Sequence, residues 1–415
     1  MLNNTAKYQS HDFKIENYKD WVDVKSLREK ARELKGLRVL HINSVSRGGG
    51  VAAILSKLVP AFNDLGIESH WYVPEIGTDE FFAVTKKQHN MFQGQEREPL
   101  TDREKSIYWD IQDELLRRLK GNIEDYDIIV VHDTQYLGAV RLRESSRAKW
   151  IYRCHIDTSS PNPEVIDFFK PLIMMFDATI YHLKDFIIGD SPMPFVIPPS
   201  IDPLEPKNSP DAVSEGYIRE VVESFGLDVE RPILLQVGRF DPAKGYETVS
   251  EIFKILKPRY PEIQLLLTGA GAKDDPQFEP YLERIRSLVE GVEDAVVRDM
   301  PFDVVMLNAV QRAATVVYAM SKREGFGLVV SEASVKEKPV IVSSAGGLPI
   351  QVIDGRTGFV VSSVEEAVEK TSVLLENEEL RVKMGREGRK YILSKFIIPI
   401  HAGNYLDMFV KLLGK

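Results

Sequence analysis

From residue 37 the chain is written as short apolar runs separated by longer stretches whose apolar positions recur at helical spacing. Runs at 37–42, 70–73, 128–132, 150–154, 178–182 and 195–198 have the length of strands. They lack the polar alternation of a sheet face in water, which suits buried parallel strands. Helices are predicted over 51–65, 105–119 and 164–176, the first directly after Gly48-Gly49-Gly50. Around Pro198-Pro199-Ser200, and on to Pro210, neither pattern holds, and the hinge region is expected there. A second series of runs follows at 233–237, 263–268, 295–297, 315–319, 340–343 and 359–361. Its predicted helices are 247–256, 281–289, 303–313, 329–336, 364–375 and 379–393, with a last one at 398–413. Strand and helix alternating twice over predict two doubly wound α/β domains.

Composition narrows the function. A chain of 415 residues is long for one core and fits two domains. Its net charge of −9 argues against nucleic acid as the main partner. Membrane spans are not expected, since no run of about 18 apolar residues occurs. The first ten residues lack the basic start and apolar core of a secretory signal, so the cytoplasm is the expected location. With Cys154 the sole cysteine, an internal disulfide and a thiolate metal cluster are both excluded.

The most informative stretch is Arg323-Glu-Gly-Phe-Gly-Leu-Val-Val-Ser-Glu332. Gly325 and Gly327 allow close backbone approach around Phe326, and a helix starting near Leu328 would aim its unpaired N–H groups at an anion. Glu324 is placed to accept from sugar hydroxyls and Glu332 to reach a ribose diol. Gln236-Val-Gly-Arg-Phe-Asp-Pro-Ala-Lys-Gly245 runs from a strand into a loop with two cations, Arg239 and Lys244, suited to a diphosphate leaving group. The plainer reading of that pair is two solvated surface cations. Asn43-Ser-Val-Ser-Arg47, followed by Gly48, Gly49 and Gly50, joins a strand to a helix at the edge where α/β folds gather ligands. A tight turn is the alternative. Thr268-Gly269-Ala-Gly271 closes another strand with two glycines, either as a turn or as a place for a nucleotide to approach. Asp274-Asp275, and Asp299 with Asp303, read as solvated acids, and no essential metal is expected. Nothing in residues 297–302 selects a base.

Two glutamates with seven residues between them, enclosing Gly-Phe-Gly, resemble the signature of the retaining sugar transferases of glycosyltransferase family 4. Further segments are similar to its trehalose glycosyltransferring synthases and trehalose phosphorylases: His41-Ile-Asn-Ser44, Gly48-Gly-Gly-Val-Ala52, Arg153-Cys-His-Ile-Asp157, Pro198-Pro-Ser-Ile-Asp-Pro203, and Arg239-Phe-Asp-Pro242 with Lys244-Gly245. Departures are Ala53, where the subgroup tends to carry an acid, and the stretch 298–305.

The resemblance implies the GT-B architecture, two Rossmann-like domains facing an interdomain cleft, with the last helix crossing back to the first domain. The expected divisions are an extension at 1–35, which holds a charged helical stretch near 26–34, an acceptor domain at 36–205, a donor domain at 206–395 and the returning helix at 396–415. It implies transfer of glucose from ADP-, GDP- or UDP-glucose to free glucose, with no tightly bound cofactor. His155, Arg239, Lys244 and Glu324 carry the catalysis in this reading. Gly49, Gly50, Gly269, Gly325, Phe326, Gly327, Leu328 and Glu332 join Arg239, Lys244 and Glu324 in binding the donor. Asn43, Arg47, His132, Asp133 and Asp157 are the expected acceptor contacts. The partners are a nucleotide sugar and a small sugar acceptor, and a homodimer is compatible with this. Trehalose phosphorolysis, a different family 4 acceptor, an epimerase and a sugar-nucleotide-binding protein without turnover are the alternatives.

Overall fold

The computed structural model describes residues 13–46, 49–269, 278–301 and 303–415. Arg47, Gly48, Gly271, Asp274 and Asp275, singled out above, lie outside the described residues. The chain divides into two compact units, one running up to Ser200 and including Ile398–Lys415, the other Ile201–Ile397.

In the first unit the elements are α1 (Val24–Arg32), β1 (Arg38–Ile42), α2 (Gly50–Asp64), β2 (Glu68–Tyr72), α3 (Asp79–Phe92), α4 (Asp102–Leu119), β3 (Ile128–His132), β4 (Lys149–Arg153), α5 (Pro163–Ile173), β5 (Ala178–Tyr181) and β6 (Pro194–Val196). The strands form one parallel sheet in the order β2-β1-β3-β4-β5-β6. Successive residues of a strand face opposite sides. Thus Ile128 and Val130 enter a core with Leu58 and Phe62 of α2, while Ile129 and Val131 enter one with Phe81, Tyr108 and Phe169 of α3, α4 and α5. The terminal helix of the chain, Ile398–Leu413, completes the first of these cores. Its Tyr405 and Phe409 lie 5.9 and 5.8 Å, ring to ring, from Phe62.

The second unit contains α6 (Glu215–Ser224), β7 (Ile233–Val237), α7 (Tyr246–Leu256), β8 (Gln264–Gly269), α8 (Phe278–Leu288), β9 (Ala295–Asp299), α9 (Val304–Ala313), β10 (Val316–Ala319), α10 (Leu328–Val335), β11 (Val340–Ser343), β12 (Phe359–Val361), α11 (Val364–Glu376) and α12 (Glu378–Lys395). Its parallel sheet runs β12-β11-β10-β7-β8-β9. Counted within the unit and read from the other edge, this is the 3-2-1-4-5-6 order of dinucleotide-binding folds, with the reversal between β7 and β10.

Helix starts follow local chemistry. Thr101 and Glu104 form a reciprocal capping box at α4, and Asn162 caps α5 with Pro163 in its first turn. Two helices were not expected from the apolar pattern. In α3 the polar Thr85 and Gln88 are buried alongside Phe81, Val84, Met91 and Phe92, which masks the helical stripe. In α6 the stripe of Ile218, Val221 and Val222 is short and follows the proline-containing segment, with Ser214 as its cap. Gly269 ends β8 against the Gly238 backbone, whose carbonyl a Cβ at 269 would overlap, so packing alone requires glycine there.

Candidate functional site

Crossovers that leave neighbouring strands in opposite directions open a crevice at their carboxyl ends. In the second unit, β7 leads to Arg239 and Lys244 and β10 leads to Glu324. Lys244 Nζ donates to Glu324 Oε2 at 2.6 Å, and Ser321 Oγ donates to the same oxygen at 3.0 Å. Glu324 Oε1 accepts nothing among the described residues. The lysine is positioned by its own backbone, since Gln236 Nε2 donates to Lys244 O at 2.9 Å and Lys322 N donates to Ala243 O at 2.7 Å. Arg239 stands more open, its side chain 58% exposed and 3.9 Å from Asp241.

The Gly325-Phe-Gly327 loop is braced from behind. Gly327 caps α10 with φ of 82°, a left-handed conformation that a side chain would strain. Gln351 is buried, and its Nε2 donates to the carbonyls of Phe326, Gly327 and Gly347 at 2.6, 3.2 and 3.1 Å. Its Oε1 accepts from Ser331 N and Oγ at 3.1 and 2.6 Å, fixing the first turn of α10. Neither Gln351 nor Ser321 is visible as a site residue in the sequence. The one available signal is a polar residue inside the apolar Leu348-Pro-Ile-Gln-Val352.

Glu332 is not an open acceptor. It is 5% exposed, Lys207 pairs with its Oε1, and Gln311 Nε2 donates to Oε2 at 3.4 Å. Lys336 Nζ donates to Gln311 Oε1 at 2.6 Å and to the Glu332 carbonyl at 3.1 Å. Burial pushes the Glu332 carboxyl up, but Lys207, Lys336 and Gln311 outweigh it and hold it below its ordinary value. Burial drives the Lys336 ammonium down to about 7, against the attraction of Glu332.

In the first unit, neighbouring strands bring four histidines into one row. His41 Nδ1 lies 3.1 Å from His132 Nε2, His132 Nδ1 2.9 Å from His155 Nε2, and His155 Nδ1 3.2 Å from His182 Nε2. Burial holds His41, His132 and His155 below their ordinary values, so these imidazoles are neutral near pH 7. One ring proton each then allows only two arrangements, donation all toward His182 or all toward His41. His41 Nε2 is buried without a partner. Donation toward His182 leaves that atom a bare acceptor, which costs less than an orphaned N–H. That end of the row favours donation from His41 toward His182, and in either direction both ring nitrogens of His155 are engaged within it.

Asp133 follows β3 with φ of 53°, and its Oδ1 accepts from His155 N at 2.7 Å. Burial raises its carboxyl to about 7, against that hydrogen bond and Arg153. Asp157 Oδ1 accepts from Ser159 N and Oγ at 3.0 and 2.6 Å. Asn43 Nδ2 donates to Val45 O at 2.7 Å, and Gly49 caps α2 with φ of 80°, placing Gly50 at its first position. His132, Asp133, His155, Asn43 and Gly49 thus gather at the carboxyl ends of adjacent strands. Arg239, Lys244, Glu324 and the Gly325 to Leu328 loop gather likewise in the second unit. Gly269 packs on Gly238 there. Among the described residues no three His, Cys, Asp or Glu side chains are arranged to hold a metal ion, and no helix is long and apolar enough to cross a membrane.

The family described as trehalose synthase, N-terminal domain, matches residues 41–188, and the family described as glycosyl transferases group 1 matches 218–391. A trehalose synthase of Thermococcus litoralis is 40% identical over 97% of this chain and 98% of its own length. The chain belongs to the trehalose synthase family of glycosyltransferases. A trehalose phosphorylase of Pleurotus pulmonarius is more distant, 28% identical over 82% of this chain and 52% of its own length. Among solved structures, the trehalose-6-phosphate synthase OtsA has a TM-score of 0.73 at 15% identity, covering 91% of this chain and 99% of its own. The Anabaena protein HepE, solved with UDP and glucose, has a TM-score of 0.69 at 15% identity, covering 90% of this chain and all of its own. The fold class of this trehalose synthase family member is GT-B, each domain carrying its own parallel sheet.

Two expectations follow for this family member. Replacing Glu332 by Gln leaves Lys207 and Lys336 without their carboxylate and should cost roughly 3 kcal/mol in denaturant unfolding; a loss within error would overturn the buried-network account. Asp133 holds a proton in the folded state that the unfolded chain has released. Relative to Asp133→Asn, stability should therefore fall as pH rises from about 4 to about 7. Parallel stability profiles for the two proteins across that window would show that Asp133 titrates normally.

Proposed function

We propose that the chain transfers glucose from an NDP-glucose to free glucose with retained configuration, forming trehalose without an essential metal. The observation that supports this most is the Lys244–Glu324 pair beside the open Arg239 at the strand-order reversal. An ammonium has three donors, so Lys244 can keep Glu324 and still donate to a phosphate oxygen. Arg239 adds a planar fork, and the two cations offset the charge that develops as the diphosphate leaves. That is the task a divalent metal performs elsewhere. Glu324 Oε1 remains to accept from donor sugar hydroxyls.

The step itself breaks the bond from the anomeric carbon to the diphosphate oxygen, which departs with the electron pair. The acceptor's anomeric hydroxyl oxygen bonds to that carbon on the face being vacated, and its proton passes to the departing phosphate. No protein nucleophile is required, which agrees with a neutral His155 whose ring nitrogens are both occupied. His155 then serves the donor sugar by position and by shape, and Asn43, Arg47, His132, Asp133 and Asp157 are assigned to the acceptor. Gly49, Gly50 and the Gly325 to Leu328 loop are assigned to the donor's phosphates, with Gly269 close by. Glu332 reaches a ribose diol only by sharing its carboxylate with Lys207. The family relationship to trehalose synthases supports glucose as acceptor, and the UDP and glucose in the HepE structure support a nucleotide-sugar donor.

The reaction is tested by incubating the protein with ADP-, GDP- and UDP-glucose, each with and without glucose and with a chelator present. Trehalose should appear only when both substrates are supplied, at a rate the chelator leaves unchanged. Nucleotide release without disaccharide, or disaccharide formed from phosphate-activated glucose alone, would defeat the proposal. Lys244→Ala should lower kcat about 100-fold or more. The same change leaves the mostly buried Glu324 carboxylate without its ammonium and should cost roughly 1 to 3 kcal/mol in unfolding while the protein stays folded. An unchanged kcat would remove Lys244 from the catalytic set.

A further inference from the structure

At the opposite, amino-terminal edge of the second unit's sheet lies a polar pocket of about 510 Å³. The ends of α9 and α10, before β10 and β11 begin, meet α12 and the start of α6 there. Four cationic residues line it, Arg312, Lys336, Lys338 and Arg389, against two carboxylates, Glu215 and Glu337. Arg312 is held in place by the carbonyls of Pro210 and Val213 and by Glu215. Arg389 donates to Val335 O and lies 3.9 Å from Glu337. Lys336 spends its ammonium on Gln311 and the Glu332 carbonyl.

Lys338 is different. Its ammonium makes no hydrogen bond or ion pair among the described residues, although it is partly buried. Burial, Arg312 and Arg381 push it down to about 8, and Glu215 and Glu337 do not make up the difference. Setting aside Lys336, which belongs to the Glu332 network, Arg312, Arg389 and the unpartnered Lys338 outnumber Glu215 and Glu337 at this pocket, which makes it complementary to a phosphate oxyanion. Guanidinium groups already fixed by backbone carbonyls lose little freedom on taking a further acceptor.

We propose that this pocket binds a phosphate dianion, as inorganic phosphate or as the phosphate of a small sugar ester, with Lys338 as its anchoring cation. The volume exceeds what a bare phosphate fills and leaves room for a hexose-sized body. The site is separate from the Lys244 and Glu324 crevice, because the two lie at opposite ends of the same parallel strands. It stands whether or not the reaction proposed above is the one catalysed.

Isothermal titration and thermal melting of the full chain test this, using inorganic phosphate and a hexose 6-phosphate as separate probes. Saturable binding is expected in the wild type and in Lys244→Ala, with Tm raised by roughly 1.5 °C or more at ten times Kd. Lys338→Glu should weaken that binding roughly ten-fold or more while melting near the wild type without anion. Lys338→Gln provides the same reading should the charge reversal impair folding. Tighter binding of the hexose phosphate would assign part of the pocket to the sugar, and equal affinities would assign it to phosphate alone; either supports the site. Absence of saturable binding by both probes would overturn it. So would binding that survives both Lys338 substitutions, or binding that disappears in Lys244→Ala.

Discussion

Between β7 and β10 the strand order reverses, and the gap that the reversal opens is bridged by one ion pair, Lys244 with Glu324. The remainder of the second unit's site is arranged around keeping those two groups 2.6 Å apart at the mouth of the sheet. Gln236, inside β7, holds the lysine's carbonyl, and Ser321, just past β10, shares the glutamate's oxygen. Gln351 ties the glycine loop that follows Glu324 to the first turn of α10, and Lys322 N donating to Ala243 O joins the segment before Glu324 to the turn that bears Lys244. A part-buried pair of this kind gives little net stability, because desolvation offsets most of the attraction. Its value lies in presenting a cation and an acceptor oxygen at a fixed spacing.

The first unit solves a related problem with neutral groups. Rings on β1, β3 and beyond the ends of β4 and β5 form a row in which each proton position is fixed by the next. At one end His41 Nε2 has no partner, which favours donation from His41 toward His182. His155, kept weakly basic by burial and with both ring nitrogens engaged, is a poor general base toward a ligand and good at holding a shape. This fits a transfer in which the leaving phosphate takes the acceptor's proton, since such chemistry asks for positioning more than for a protein base.

Much of this organisation can be read from the residues. The strands Ile128–His132 and Ile233–Val237 coincide with their apolar runs because they are buried on both faces, where no polar alternation blurs the ends, and Val340–Ser343 and Phe359–Val361 coincide with theirs although partly exposed. The start of α10 at Leu328 is legible because Gly327 must cap it. By contrast α3 hides its stripe behind buried Thr85 and Gln88, and no local pattern exposes a buried polar residue. The partners of Glu332 are also hidden. Lys207 sits 125 positions earlier, in a segment whose proline content speaks only of irregular backbone, and the pairing exists only through tertiary structure. The histidines are an intermediate case. Their positions at strand ends are visible, but their adjacency needs the order β1-β3-β4-β5, which no single strand encodes.

The same distinction separates the two glutamates of the signature. Spacing treats Glu324 and Glu332 as equivalent acids eight positions apart, yet their surroundings differ in kind. Glu324 lies on a loop with one oxygen doubly held and the other without a protein donor among the described residues. Glu332 lies within α10, with Lys207 on one oxygen, Gln311 on the other and Lys336 beneath its carbonyl. A ligand group approaching Glu324 meets an acceptor already oriented. One approaching Glu332 must share the carboxylate with an ammonium, and the exchange is favourable only if the incoming hydroxyls make good the desolvation of Lys207. In the proposed reaction, discrimination at the nucleotide end would therefore depend on Lys207 as much as on Glu332, while the sugar end would depend on geometry that is set before any ligand arrives.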